Sequence, residues 1–279
     1  MDEQQPIRQL PVLRATKAAY LVIFYNPLLS LKLAAVPLVL MIAQTVFFLD
    51  FVAELQKFQE TQDPAFFVEQ GGEFSAFFGA GLAANLALIP MITAWHRLVL
   101  LGHGDPDARI TYSIKSSEWA YLWKWILFGL LMVVISIPLW LVILGTSFTT
   151  GAFLAAGSAE SAGFLIGALG GLLAVFTIIA VSLRFSLVFP AAAIGTSMKF
   201  GESWRKSKGN TWRLLAVLIL TAFPFAIIPG VVNATIAAPL ISSFINIPFW
   251  IFGICVGISF WSWTYRYLVQ EQPIILPDE

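Results

Sequence analysis

Between Arg213 and Arg266 the chain runs for 52 residues without a charge, and between Lys124 and Arg184 it runs for 59 residues interrupted only by Glu160. Each run is too long for one crossing of a bilayer. Each is about right for two crossings joined by a turn, because a hydrocarbon core of roughly 30 Å takes about 20 apolar residues per helix. Helical hairpins follow. A helix satisfies its own backbone hydrogen bonds in lipid, whereas a barrel would need short segments of alternating polarity that this chain lacks.

Six candidate spans emerge, at residues 28–49, 74–95, 123–144, 164–183, 214–232 and 247–263. The predicted fold is all-α and polytopic, with six transmembrane helices as three hairpins, short interfacial helices, and a single integral membrane domain over residues 1–279. Composition fits: 58% of residues are apolar, 11% are charged and the mean hydropathy is +0.82, outside the balance of a soluble domain. Six spans use about 120 residues, which leaves no stretch for a separate soluble catalytic domain. The one cysteine, Cys255, lies in an apolar run, so neither an intramolecular disulfide nor a cysteine metal cluster is expected. The opening Met1-Asp2-Glu3 and a first apolar stretch that contains Lys32 predict an uncleaved anchor.

Threading the six spans in alternation places fifteen of the sixteen Lys and Arg residues on one side, with only Lys57 opposite. The positive-inside rule then puts both termini in the cytoplasm. The first external loop carries Asp50, Glu54, Glu60, Asp63, Glu69 and Glu73. Each hairpin enters beside a cation (Lys32, Lys124, Arg213) and leaves beside an arginine (Arg97, Arg184, Arg266), at a period near 90 residues. The pattern fits a duplicated two-span unit related by an axis along the membrane normal. It equally fits the interfacial aromatics and snorkelling cations that mark any membrane boundary.

Short segments outside the lipid precede the odd spans. Residues 196–207 place Phe200 and Trp204 four apart beside Lys199, Arg205 and Lys206, with Gly209 as the stop signal before the next helix. This predicts an interfacial helix whose cations Lys199, Arg205, Lys206, Lys208 and Arg213 contact membrane lipids, anionic headgroups above all, or an acidic membrane-protein partner. Ordinary topology determination explains the same cations. In the external loop, Phe51, Leu55 and Phe58 share a helical face, and Asp63-Pro64 to Gly71-Gly72 brackets a second short helix.

Little chemistry is on offer. His96 and His103, with Asp105 and Asp107, match no metal motif, and the serines lack a His and acid partner, a G-x-S-x-G elbow or a phosphate loop. No enzymatic activity, cofactor or metal is expected, and no nucleic-acid partner. Coupled transport wants ionisable groups at the bilayer midplane, where the spans offer only neutral groups such as Gln44, Asn85 and Thr177. Prolines at 37, 90, 138, 224 and 229 interrupt spans, and the charge-free stretch 233–248 reads as either a loop or a re-entrant segment. Gly163, Gly167 and Gly171, Gly253 and Gly257, and Ala76, Ala80 and Ala84 form small-residue stripes that predict close packing of the even spans at the centre.

Residues 200–215, Phe-Gly-Glu-Ser-Trp-Arg-Lys-Ser-Lys-Gly-Asn-Thr-Trp-Arg-Leu-Leu, resemble the entry motif of bacterial multi-helix membrane families, including the membrane domain attached to some glycerophosphodiester phosphodiesterases. The stretch from Arg184 to Pro190 and Ala191 is similar to the exit those families show. The resemblance implies a multi-pass protein of the bacterial inner membrane. The phosphodiesterase barrel is absent, so no catalytic residue carries over. The expected role is a non-catalytic scaffold, assembly factor or lipid-interacting accessory; a passive or lipid-like substrate permease is the rival.

Overall fold

The computed structural model describes residues 8–25, 27–61, 71–102, 115–155, 160–236 and 238–276, and among them every regular element is helical. In order these are α1 (Val12–Tyr25), α2 (Pro27–Thr61), α3 (Gly71–Leu101), α4 (Ser116–Ala155), α5 (Glu160–Phe185), α6 (Val188–Ala193), α7 (Phe200–Lys206), α8 (Thr211–Thr235) and α9 (Pro239–Leu268). Six segments are long and apolar enough to cross a membrane: Pro27–Leu49, Phe74–Leu101, Ser116–Leu141, Ala168–Ala193, Thr211–Thr235 and Ile241–Leu268. Each overlaps one of the six expected spans. The chain is an all-α, multi-pass membrane protein.

The most extensive packing is α2 on α3, α4 on α5, and α8 on α9, which are the three hairpins. In the first, Phe51 stacks on Phe77 and Phe48 tilts against the same ring. The outer residues Phe51 and Leu55 belong to the continuous helix α2 rather than to a separate loop helix, while the proposed second helix over 63–72 falls largely outside the described residues. The third hairpin closes through a short link between Thr235 and Pro239, with Asn246 Nδ2 donating to Asn233 Oδ1 at 2.8 Å. The alternative of a re-entrant segment over 233–248 is therefore set aside. Pro239 opens α9 at a position where a missing N–H costs nothing, and the helix runs on through Pro248.

Helix α9 sits at the centre, touching α1, α2, α3, α6 and α8. The expected central cluster of even spans holds for α3 and α9. It does not hold for α5, whose packing is on α4, α7 and α8, and whose outward face exposes Leu169, Leu172, Leu173 and Val175. Among its described residues, Ala174 and Leu183 of α5 are buried and Ile179 packs against the core, which the following α6 joins. The small-residue stripes act at single points. A Cβ on Gly253 would lie 3.0 Å from Phe225 Cγ and Ala84 is buried, whereas Gly171 and Gly257 have nothing within 4 Å.

Helix α1 was not foreseen. Ala15, Ala18, Ala19, Val22 and Ile23 form its buried face, which lies on α8 and α9. It runs parallel to α8 at a constant offset: Leu10 N–H donates to Asn210 Oδ1, and ten residues later the Tyr20 hydroxyl donates to the Leu220 and Thr221 carbonyls. Ten helical residues rise about 15 Å, so α1 accompanies α8 through its first two-fifths.

Candidate functional site

Arg97, Lys115, Lys124, Arg184, Lys199, Arg205, Lys206, Lys208 and Arg213 lie on or beside the segments that join the hairpins, which pack on one another at one end of the bundle. Arg97 lies at the end of α3 and is 5% exposed. Its Nη2 is 2.9 Å from Glu118 Oε1 and donates to Ser117 Oγ, and its Nε donates to the Ala193 carbonyl at 2.7 Å, so one side chain joins α3, α4 and α6. Glu118 is the third residue of α4, and its Oε2 accepts the Lys115 N–H at 2.9 Å. That is the backward half of a capping box, supplied by a carboxylate that also neutralises Arg97.

From the two residues just before Arg97 on α3, the polar contacts run to α9. Trp95 Nε1 donates to Ser259 Oγ at 2.8 Å, and His96 Nδ1 lies 2.7 Å from Ser262 Oγ. Each serine has a single proton, and those protons go to the Cys255 and Ile258 carbonyls of their own helix. The serines thus accept, which assigns the Nδ1–H tautomer to His96. All four side chains are buried, so this pair of hydrogen bonds fixes α3 on α9.

The second rim junction involves Arg184, at the end of α5. Its guanidinium sits 3.6 Å over the Trp204 ring, Nη2 donates to the Trp204 carbonyl at 2.6 Å, and its own carbonyl accepts Ser203 Oγ at 2.6 Å. Helix α7 is thereby clamped to α5. Helix α7 covers the centre of the interfacial segment expected at 196–207; the first four residues precede the helix, with Lys199 as an extended N-cap. Gly209 turns the chain at φ +77°, a conformation that favours glycine, and Thr211 starts α8.

The five cations singled out in sequence do not form one cluster of equals. Arg213 is consumed internally, with Nη1 on the Leu10 carbonyl at 3.1 Å and Nη2 on Gln9 Oε1 at 2.6 Å. Lys206 makes an exposed ion pair with Glu271 at 3.2 Å. Lys199, Arg205 and Lys208 are exposed, with no ion-pair partner among the described residues. Asn210 spends its side chain on the Leu10 N–H and the Arg8 carbonyl instead of capping α8.

Sequence reasoning missed Glu118, which no pattern tied to Arg97, and Tyr20, which lay in a segment without an assigned element. Of the neutral groups named at the helix centres, Asn85 donates to Gly81 O and Thr177 to Leu173 O of their own helices, whereas the Gln44 side chain crosses to α3, its Nε2 2.7 Å from where a Cβ on Gly81 would stand. Asn85 and Thr177 are exposed on the outer surface. His103, Asp105 and Asp107 lie outside the described residues, and among those described no three metal-ligating side chains meet.

An apolar cavity of about 490 Å³ opens between α1, α8 and α9, lined by Tyr20, Ile23, Phe24, Pro224, Phe225 and Val256 among others. Two smaller cavities, of about 240 and 310 Å³, adjoin at the rim between the start of α4 and the turn after α6. No family model, curated protein or solved structure matches the chain.

Proposed function

We propose that this is a non-catalytic accessory protein of the bacterial inner membrane, with both termini cytoplasmic, whose basic rim holds anionic phospholipid headgroups. The observation that carries the reading is the division of labour among the cations: Arg97, Arg184 and Arg213 tie the rim together, while Lys199, Arg205 and Lys208 project from α7 and its flanks. Trp204 faces inward on Arg184 and Trp212 is exposed at the start of α8, the amphipathic profile of a surface resting at headgroup level. Each cation near an anionic surface is worth about 1 kcal/mol, so three supply a real preference without a pocket. The permease rival draws less support, because Asn85 and Thr177, two of the three neutral groups that would line a path, bond to their own helices.

Native mass spectrometry after gentle extraction tests this. The wild-type chain is expected to retain phosphatidylglycerol over phosphatidylcholine, and a variant with Lys199, Arg205 and Lys208 changed to Gln is expected to lose that preference. A stoichiometric protein partner retained without lipid would favour a scaffold, and retention of neither would end the proposal.

A further inference from the structure

We propose that the groove beside Lys124 is a built site for a phosphate group, separate from the exposed cations of α7. The two rim cavities share Ser116, Ser117 and Gly195, so they form one continuous groove, with Arg97 and Lys115 toward one end and Lys124 with Ser197 toward the other. Lys124 is only partly exposed, and its Nζ donates to the Met198 carbonyl at 2.9 Å while lying 5.5 Å from the centre of the Phe200 ring. An ammonium has three donors, so two are left to serve a ligand.

No carboxylate pairs with Lys124 among the described residues. The neighbouring acid, Glu118, is committed to Arg97, Ser117 and the Lys115 N–H. A partly desolvated cation without a counter-ion is unfavourable until an anion joins it. The helix end does not carry this inference, because Glu118 already serves it and takes the Ser117 proton as well; the Lys124 charge and the hydroxyls of Ser116 and Ser197 do. Gly195 stands in the wall at φ +75° with open space where a Cβ would be, which keeps the groove clear. The lining also has apolar members, Leu101, Ala120 and Ile194. A tetrahedral oxyanion carried on a small, partly apolar ester suits both the donors and the volume. It can arrive as a lipid headgroup or as a water-soluble phosphate.

The test uses the full chain purified in detergent and two probes: phosphatidylglycerol in mixed micelles, and glycerol phosphate in solution. The wild-type protein is expected to bind at least one. Lys124→Gln is expected to weaken that binding about fivefold, the equivalent of about 1 kcal/mol, Lys124→Arg to retain it, and Ser197→Ala to weaken it with the Lys124–Met198 contact intact. The roughly fivefold effect of Lys124→Gln is expected to persist when Arg205→Gln and Lys208→Gln are already in place, which separates this site from the α7 surface. Binding of glycerol phosphate assigns a soluble ligand; binding of phosphatidylglycerol alone assigns a lipid. Binding of neither probe, or equal affinity in wild type, Lys124→Gln and Ser197→Ala, overturns the inference.

Discussion

The Tyr20 hydroxyl donates to the carbonyl of Leu220 at 3.0 Å, and Leu220 is the residue four before Pro224. A proline has no N–H, so the Leu220 carbonyl lacks its helical donor, and in an apolar setting that gap must be filled from outside the helix. Helix α1 fills it. Burial raises the Tyr20 phenol above its ordinary value, so it stays a neutral donor. Tyr20→Phe is expected to cost about 1 kcal/mol, since hydrogen bonds between membrane helices run from about 0.6 to 1.7 kcal/mol. Pro224→Ala restores an N–H four residues after Leu220, so it is expected to reduce the effect of Tyr20→Phe. Thermal unfolding of the four proteins in detergent measures the coupling, and strictly additive effects would contradict the link.

Removing one partner of a buried ion pair costs about 3–5 kcal/mol, because the other charge is left uncompensated. Glu118→Ala strands Arg97 and removes the cap on Lys115, and it is expected to fall in that range. Glu118→Gln keeps hydrogen-bonding capacity and is expected to cost less. By contrast, the Lys206–Glu271 pair is exposed at 39% and 57%, so Lys206→Ala is expected to change stability by no more than about 1 kcal/mol. Detergent-solution melting curves distinguish the two classes.

Gly253 and Gly257 lie one turn apart on α9 and predict opposite outcomes. Alanine at 253 must push against Phe225, which packs 3.0 Å from the site of the new Cβ, and is expected to destabilise the third hairpin. Alanine at 257 meets nothing and is expected to be neutral or stabilising by up to about 1 kcal/mol, the helix-propensity gain over glycine. If both substitutions shifted the melting point alike, the close approach at Gly253 would be refuted.

Topology is open to a direct measurement. Cys255 is fully buried and free, so a maleimide is expected to leave the folded wild-type chain unlabelled. Single cysteines at Arg205 or Lys208 are expected to label only from the cytoplasmic side of intact cells or oriented vesicles. Labelling from the outer side alone would invert the proposed orientation.

The spans were legible because crossing a bilayer demands apolar length, which composition displays directly, as in the charge-free run after Arg213. Gly209 and Thr211 were legible for a local reason, the turn chemistry at the foot of a helix. Helix α1 leaves a readable trace in Ala15, Ala18, Ala19 and Val22 at helical spacing, but Arg14 and Lys17 among them carry the same charge that marks a membrane boundary, which masks the period. The Arg97–Glu118 pair left only the fragment of a capping box from Lys115 to Glu118; the pairing itself depends on how two hairpins dock. Likewise nothing near Lys124 in sequence announces Met198 or Ser197, which reach it only because α6 ends beside α4.

The constant offset between α1 and α8 bears on how the chain is made. The alanine face of α1 is synthesised some 200 residues before the surface that receives it, as the Leu10–Asn210 and Tyr20–Leu220 contacts record. Until the third hairpin enters the bilayer, that face has only lipid or a chaperone to rest on. Docking of α1 on α8 cannot precede synthesis of the third hairpin, and a ribosome that stops short of α8 releases a chain in which α1 is unclasped.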